Sequence, residues 1–265
     1  MRLSALLATV PTLDVRGPTD REATRVTRDS RDADPDAIFV AVPGARVDGH
    51  SFADRVDAGV VVVEREVPVR DGATRVLVRS SKEALALFAA ALHGFPGRAM
   101  KVVAITGTNG KTTTATLVDD AMRHLGVKCG RIGTTGNSID GVPREAGFTT
   151  PEAPELQGLL AEMRDAGCAA VAIEASSIGL AQHRVDGIPF HVGVFTNLTQ
   201  DHLDFHGTMD AYRDAKARLF RELLRPAGGA PRAERLPADG GARGTGAPSR
   251  RGRRPSCRGS RGGPA

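Results

Sequence analysis

Residues 101–125 read KVVAITGTNGKTTTATLVDDAMRHL, and this stretch decides the class of fold. KVVAIT is an apolar run of strand length, GTNG is a loop with two glycines, and Lys111 to about Leu125 reads as a helix. Glycines at 107 and 110 let backbone amides approach phosphate oxygens, with the positive end of the helix dipole behind them. Lys111 would reach the β- and γ-phosphates of a nucleotide, and the Thr112 hydroxyl would hold a Mg²⁺. Ile105 stands where the strict G-x-x-x-x-G-K-[ST] pattern has its first glycine, so the bare alternative is a glycine-bearing turn. Gly-Lys-Thr at the opening of a helix favours binding of a nucleoside triphosphate.

Working outward, the same alternation continues on both sides. Before it lie strand-like runs AIFVAV, GVVVVE and TRVLVRS, then a helix in KEALALFAAALHGF closed by Pro96 and Gly97. After it, PEAPELQGLLAEMRDAG places Leu156, Leu159, Leu160 and Met163 on one helical face, and CAAVAIE and FHVGVFTNL read as strands. Strands alternating with helices imply βαβ crossovers and a largely parallel sheet. The expected fold class is α/β, with a domain over 1–97, a P-loop parallel-sheet domain over 98–225, and a tail over 226–265.

The tail differs in kind. Its 40 residues hold ten Gly, six Pro and nine Arg, and Leu236 is its one large aliphatic side chain. Such a segment cannot bury enough apolar area to offset the entropy of ordering it, so disorder is expected. Nine arginines against Glu234 and Asp239 give it +7, so residues 1–225 sum to −2 although the whole chain carries +5. The basic character therefore belongs to the tail, and with 4% aromatic residues and no Trp the chain is not expected to bind nucleic acid. The switch from a helix-like run, AYRDAKARLFRELL, to Arg/Gly/Pro text reads as a shifted reading frame and a truncated product. The opening MRLSALLATVP reads as a first amphipathic helix, because Ser4, Thr9 and Pro11 interrupt a signal-peptide pattern. No run approaches the roughly 18 apolar residues of a membrane span. Cys129, Cys168 and Cys257 show no metal or disulfide spacing, which points to a reducing, cytoplasmic setting.

Two further clusters carry chemistry. EASSIGLAQHR, Glu174 to Arg184, begins at the carboxyl end of a strand, where open α/β sheets bind ligands. Glu174 there suits Mg²⁺, a hard cation that takes oxygen ligands; a helix-start acid is the plainer alternative. TNLTQDHLDFHG, Thr196 to Gly207, packs Asp201, His202, Asp204 and His206 into six residues. Neighbouring side chains cannot all face one ion, so a capped helix entry competes with a transition-metal site.

Taken in order, GTNGKTTT, EASS…QHR and TNLTQDHLDFHG…AYRDAK resemble the Mur ligases of peptidoglycan synthesis, in the UDP-N-acetylmuramoyl-tripeptide synthetase branch. DSRDADPDAIFVAVPGARVDGHSF, residues 29–52, is similar to that family's uridine-nucleotide domain. The likeness covers about residues 25–224. The P-loop variant also occurs in folylpolyglutamate synthase-like ligases, but the Asp-Ser-Arg segment and the Thr-Thr-Pro at 149–151 favour the muramyl branch. The resemblance implies that Gly107, Thr108, Asn109, Gly110, Lys111, Thr112 and Thr113 bind ATP. It implies one Mg²⁺ on Thr112 and Glu174, a second on His202, and a carbamylated Lys216 among the metal ligands, with Lys111, His202 and Lys216 catalytic. Ser30 would contact the UDP moiety, and Thr149, Thr150, Ser176, Gln182 and Arg184 the muramyl dipeptide. The implied reaction joins a diamino acid, meso-diaminopimelate or alternatively L-lysine, to UDP-N-acetylmuramoyl-L-alanyl-D-glutamate through an acyl phosphate. A monomer without membrane or nucleic-acid partners is implied.

The sequence departs from that pattern in two places. Ile178 follows the Ser-Ser pair where relatives commonly carry His, and no Asp-Asn-Pro-Arg motif for selecting the amino acid is present. The expectation is therefore of a chain that binds UDP-muramyl substrate and ATP without turning them over alone.

Overall fold

The structure, a computed structural model, describes residues 1–44, 47–145 and 147–224. The chain first builds a five-stranded sheet from β1 (Asp14–Arg16), β2 (Arg25–Thr27), β3 (Ala37–Val40), β4 (Val60–Val63) and β5 (Thr74–Leu77), in the order β1-β5-β4-β3-β2. Strands β2 to β5 are parallel, and β1 closes the edge antiparallel to β5. The four valines of β4 are all buried because both faces are covered, so the strand reads as a continuous apolar run. Val60 and Val62 pack with Leu3, Leu6 and Phe88, from helices α1 (Leu3–Leu7) and α2 (Ser81–Leu92). Val61 and Val63 pack with Phe39, Ala53 and Val56 on the other face.

Helix α2 starts where Ser80 accepts a hydrogen bond from the Glu83 amide, the Ser-x-x-Glu signature of a capping box. It stops at Leu92, earlier than Pro96 predicts, with Gly94 and then Phe95 in the left-handed region. The polypeptide then passes through a 3₁₀ turn, Pro96–Ala99, into the second sheet.

That sheet has six strands: β6 (Lys101–Thr106), β7 (Cys129–Ile132), β8 (Asn137–Ile139), β9 (Val142–Arg144), β10 (Ala170–Glu174) and β11 (Phe190–Phe195). Their order is β11-β6-β10-β7-β8-β9, with β11, β6, β10 and β7 parallel and β8–β9 an antiparallel hairpin at the edge. Helix α3 (Lys111–His124) leads from β6 past β10 to β7, and α4 (Ala153–Asp165) leads to β10. The crossovers bring the carboxyl ends of β6, β10 and β11 side by side, with Glu174 level with Ile105 and Phe195 level with Thr106. Open α/β sheets bind ligands at such an edge.

Short helices α5 (Ser177–Ala181) and α6 (Leu203–His206) and helix α7 (Met209–Arg218) border that edge. The helix-like run after Tyr212 does not stay α-helical to Leu224; it widens into a π-helix over Leu219–Leu223. Among the described residues no helix is long and apolar enough to cross a membrane. The expected disorder of 226–265 and Cys257 lie outside the described residues.

Candidate active site

The loop between β6 and α3 is held from outside. The Thr108 amide donates to the Asn197 carbonyl (3.0 Å), and the Asn109 amide to Asn197 Oδ1 (3.0 Å). Thr196 Oγ1 and Asn197 Nδ2 donate in turn to the Asn109 carbonyl, at 2.6 and 3.2 Å. Gly107 has φ +147°, and a Cβ there would strike the Thr196 hydroxyl, so this close approach needs glycine. The amides of Thr108 and Asn109 are already committed to Asn197, and the Thr108 hydroxyl to Thr199 and Tyr212. The donors left for an anion are those of the first turn of α3, Gly110 to Thr113, where Gly110 caps the helix without a side-chain bond.

Two lysines converge on this loop. Lys111 Nζ donates to the carbonyls of Gly107 (2.9 Å) and Thr108 (2.8 Å). Lys216 Nζ, from α7, donates to the same Gly107 carbonyl at 2.8 Å and sits over the Tyr212 ring. Lys216 is 2% exposed. Burial, and next the charge of Lys111, bring its pKa down to about 8. Burial also lowers that of Lys111.

Glu174 ends β10 fully buried, with its carboxylate facing the start of α3. Oε2 accepts from the Thr112 hydroxyl (3.0 Å), and Oε1 from the Thr134 amide (3.0 Å); the Thr134 hydroxyl is also 3.0 Å from Oε2. A Cβ on Gly133 would collide with this carboxylate, so that glycine makes room for it. A buried carboxylate beside a threonine hydroxyl is a hard oxygen pair, and it fits Mg²⁺. His202 stands apart: it is half-exposed, in the left-handed region (φ 51°), with Nε2 3.6 Å from Asp201 Oδ2. His206 bonds to the Ser177 hydroxyl instead of joining it (3.0 Å). No group of three His, Cys, Asp or Glu among the described residues could hold a metal, so the transition-metal reading of Asp201–His206 is set aside.

A cavity of about 940 Å³ opens between the two sheets. Ser30, Gln182 and Arg184 line it together, joined by Arg28, Arg31 and Lys82, which sequence reasoning did not single out. Glu152 Oε1 pairs with Arg184 (2.6 Å) and with Arg28 (3.2 Å), bridging the two halves of the wall. Thr150 lies outside the lining of this cavity. It is 1% exposed, and its hydroxyl donates to the Glu174 carbonyl (2.7 Å) and accepts from the Ser176 amide (3.0 Å). Ser176 in turn caps α5 through the Gly179 amide, and Thr149 Oγ1 lies 3.0 Å from Thr134 Oγ1. Thr150 and Ser176 thus shape the wall that Arg184 also joins through the Thr150 carbonyl (3.0 Å).

Thr134 and Asn197 were missed as functional candidates. Asn197 lies inside a segment already marked by its acids and histidines. Thr134 follows a strand that no apolar pattern announces.

Residues 22–93 match the Mur ligase family catalytic domain, and residues 105–228 the Mur ligase middle domain. A UDP-N-acetylmuramoyl-L-alanyl-D-glutamate–2,6-diaminopimelate ligase of Geobacillus thermodenitrificans is 42% identical over 224 residues, 84% of this chain and 46% of that protein. The corresponding L-lysine ligase of Staphylococcus epidermidis is 39% identical over 226 residues, again 84% and 46%. A solved 2,6-diaminopimelate ligase superposes with a TM-score of 0.70 at 28% identity, over 85% of this chain and 46% of that one. The chain spans about half the length of the curated relatives it matches.

Proposed function

Since the chain belongs to the Mur ligase family of ATP-dependent amide-bond-forming ligases, we propose that it binds ATP and UDP-N-acetylmuramoyl-L-alanyl-D-glutamate. The reaction it serves is addition of a diamino acid, meso-diaminopimelate, to the D-glutamyl carboxylate in the cytoplasm. The observation that carries this reading is the meeting of three features at one sheet edge: an uncapped helix start with Lys111, the Thr112–Glu174 pair, and the cation-lined cavity. Relatives adding 2,6-diaminopimelate and L-lysine both match, so lysine is the second reading.

In this reading the first turn of α3 and Lys111 hold the phosphates of ATP. Thr112 and Glu174 would hold Mg²⁺, which when bound supplies positive charge against the phosphoryl oxygens. Lys111 and the helix dipole offset the repulsion between the triphosphate and the substrate carboxylate, which attacks the γ-phosphorus to give an acyl phosphate and ADP. The amine of the diamino acid then attacks the acyl carbon, phosphate leaves, and an amide remains. Lys216 is proposed to react as the neutral amine with CO₂: an N–C bond forms, one proton departs, and a carbamate replaces the ammonium. Its lowered pKa keeps neutral amine available near physiological pH. Arg184 and Arg28, spaced by Glu152, suit the anionic groups of the muramyl substrate.

Calorimetry with Mg²⁺ and a non-hydrolysable ATP analogue tests the nucleotide site. Lys111→Ala should weaken binding by roughly 10- to 150-fold, the equivalent of about 1.5–3 kcal/mol for a charge-assisted contact. Equal affinity in the two proteins would remove Lys111 from the nucleotide site.

A further inference from the structure

One buried ionic cluster belongs neither to the nucleotide loop nor to the cavity wall. Asp186 is 4% exposed, and its Oδ2 lies 2.8 Å from His183 Nδ1 and 2.6 Å from Arg218 Nη2. Arg218 also donates through Nη1 to the Leu180 carbonyl (2.9 Å), and its Nε pairs with Glu222 (2.9 Å). Burial alone would raise the Asp186 pKa, but His183 and Arg218 hold it below the usual carboxylate value.

The placement of these partners is what makes the cluster informative. His183 adopts φ 59°, a region a non-glycine residue enters at a cost, and it turns into the cluster. Its neighbours on either side, Gln182 and Arg184, both line the cavity. On α7, Arg218 follows Lys216 by two residues, about 200° around the helix. Lys216 reaches the Gly107 carbonyl from one side of α7, and Arg218 reaches the Leu180 carbonyl from the other. One carboxylate therefore ties the cavity wall to the helix that presents Lys216.

We propose that Asp186 is a positioning residue which, through His183 and Arg218, sets the Gln182–Arg184 wall and the Lys216 helix in one register. The ligand arm of its test rests on the substrate reading given above. A structural brace with no such role would change stability alone. A positioning residue separates the ligands, because Asn197 holds the amides of the nucleotide loop, whereas α7 reaches that loop through Lys216 and Tyr212.

The test compares the wild-type chain with Asp186→Asn, and with Arg218→Lys should the first variant fail to fold. Three readouts are taken: affinity for UDP-N-acetylmuramoyl-L-alanyl-D-glutamate, affinity for the Mg²⁺-bound ATP analogue, and the rate at which an amine-acetylating reagent labels each lysine, read by mass spectrometry without ligands. Loss of one charge-assisted bond corresponds to about tenfold, so dipeptide affinity should fall about tenfold and Lys216 labelling should rise about tenfold. Nucleotide affinity should fall less than dipeptide affinity, since Asn197 keeps the loop amides in place, and Lys111 labelling should not change. A folded variant with wild-type dipeptide affinity and wild-type Lys216 labelling overturns the proposal. So does a parallel fall in both affinities with general exposure of lysines, which would mark a brace only. A wild-type chain that does not bind the dipeptide would overturn the substrate reading, and the labelling rates would still decide the role of Asp186.

Discussion

In the first sheet the central strand Val60–Val63 is apolar from end to end, and clusters on both faces cover it. In the second sheet the central strand Ala170–Glu174 is equally buried but ends in a carboxylate. The contrast extends to the regions around them. Of the fourteen buried polar or charged side chains among the described residues, three (His50, Thr74 and Ser81) lie before residue 97 and eleven lie after it. A buried polar group is costly unless bonded, so the second region gives up stability to fix donors and acceptors at its sheet edge. The first region takes its cohesion from close packing. Cavity residues come from both, so a stable half and a chemically loaded half share one wall.

The sharpest way to break this contrast is to damage each half separately. Phe88 is fully buried against the first sheet, and Phe88→Ala should cost about 3–5 kcal/mol, the range for losing a large aromatic from a core. Urea unfolding should show the loss, while nucleotide affinity measured well below the transition stays at the wild-type value. Lys111→Ala should do the reverse. If Phe88→Ala abolished nucleotide binding in protein still folded, the division of labour between the sheets would be wrong.

The same contrast explains what was legible in the sequence. AIFVAV, GVVVVE and CAAVAIE were readable as strands because burial on both faces leaves an unbroken apolar run. GTNGKTTT was readable because a glycine loop between strand and helix leaves its marks locally. β7 was not readable: CGRI has a glycine and an arginine and reads like a turn, yet it lies beside β10 through pairing with residues forty positions away. The three-residue strands of the β8–β9 hairpin are too short to show a period. Thr134 follows directly from that unread region, so its hold on Glu174 was hidden as well. Strand order, which carries α3 past β10, leaves no local mark at all.

The next prediction sharpens the contrast through pH. Lys216 has a folded-state pKa of about 8 against 10.5 for an ordinary lysine, chiefly because it is buried. Between those values the unfolded chain binds a proton that the folded chain does not, so this residue makes stability rise with pH across the window. Below about pH 8 the fold carries the full cost of a buried ammonium. Lys216→Met should therefore be more stable than wild type at pH 7, and its advantage should shrink towards pH 10.5. Denaturant unfolding of both proteins at several pH values reads the difference directly. A constant gap across the window would mean that Lys216 keeps ordinary basicity, and that its burial costs nothing specific to charge.

The smallest expected effect concerns Gln157, on α4 between the buried residues Leu156 and Leu160. Gln157 is 1% exposed, and neither its Oε1 nor its Nε2 has a hydrogen-bond partner among the described residues. A buried amide left in this state costs about 1–3 kcal/mol, whereas a near-isosteric apolar replacement costs under about 1.5 kcal/mol in altered packing. Gln157→Met keeps the unbranched shape and removes the amide, so a gain of about 1 kcal/mol is expected, roughly 2–4 °C in Tm for a chain of this size. Nucleotide affinity should not move, since Gln157 touches neither the loop nor the Glu174 cluster. A loss of about 1 kcal/mol or more would show that the amide is satisfied in the folded chain.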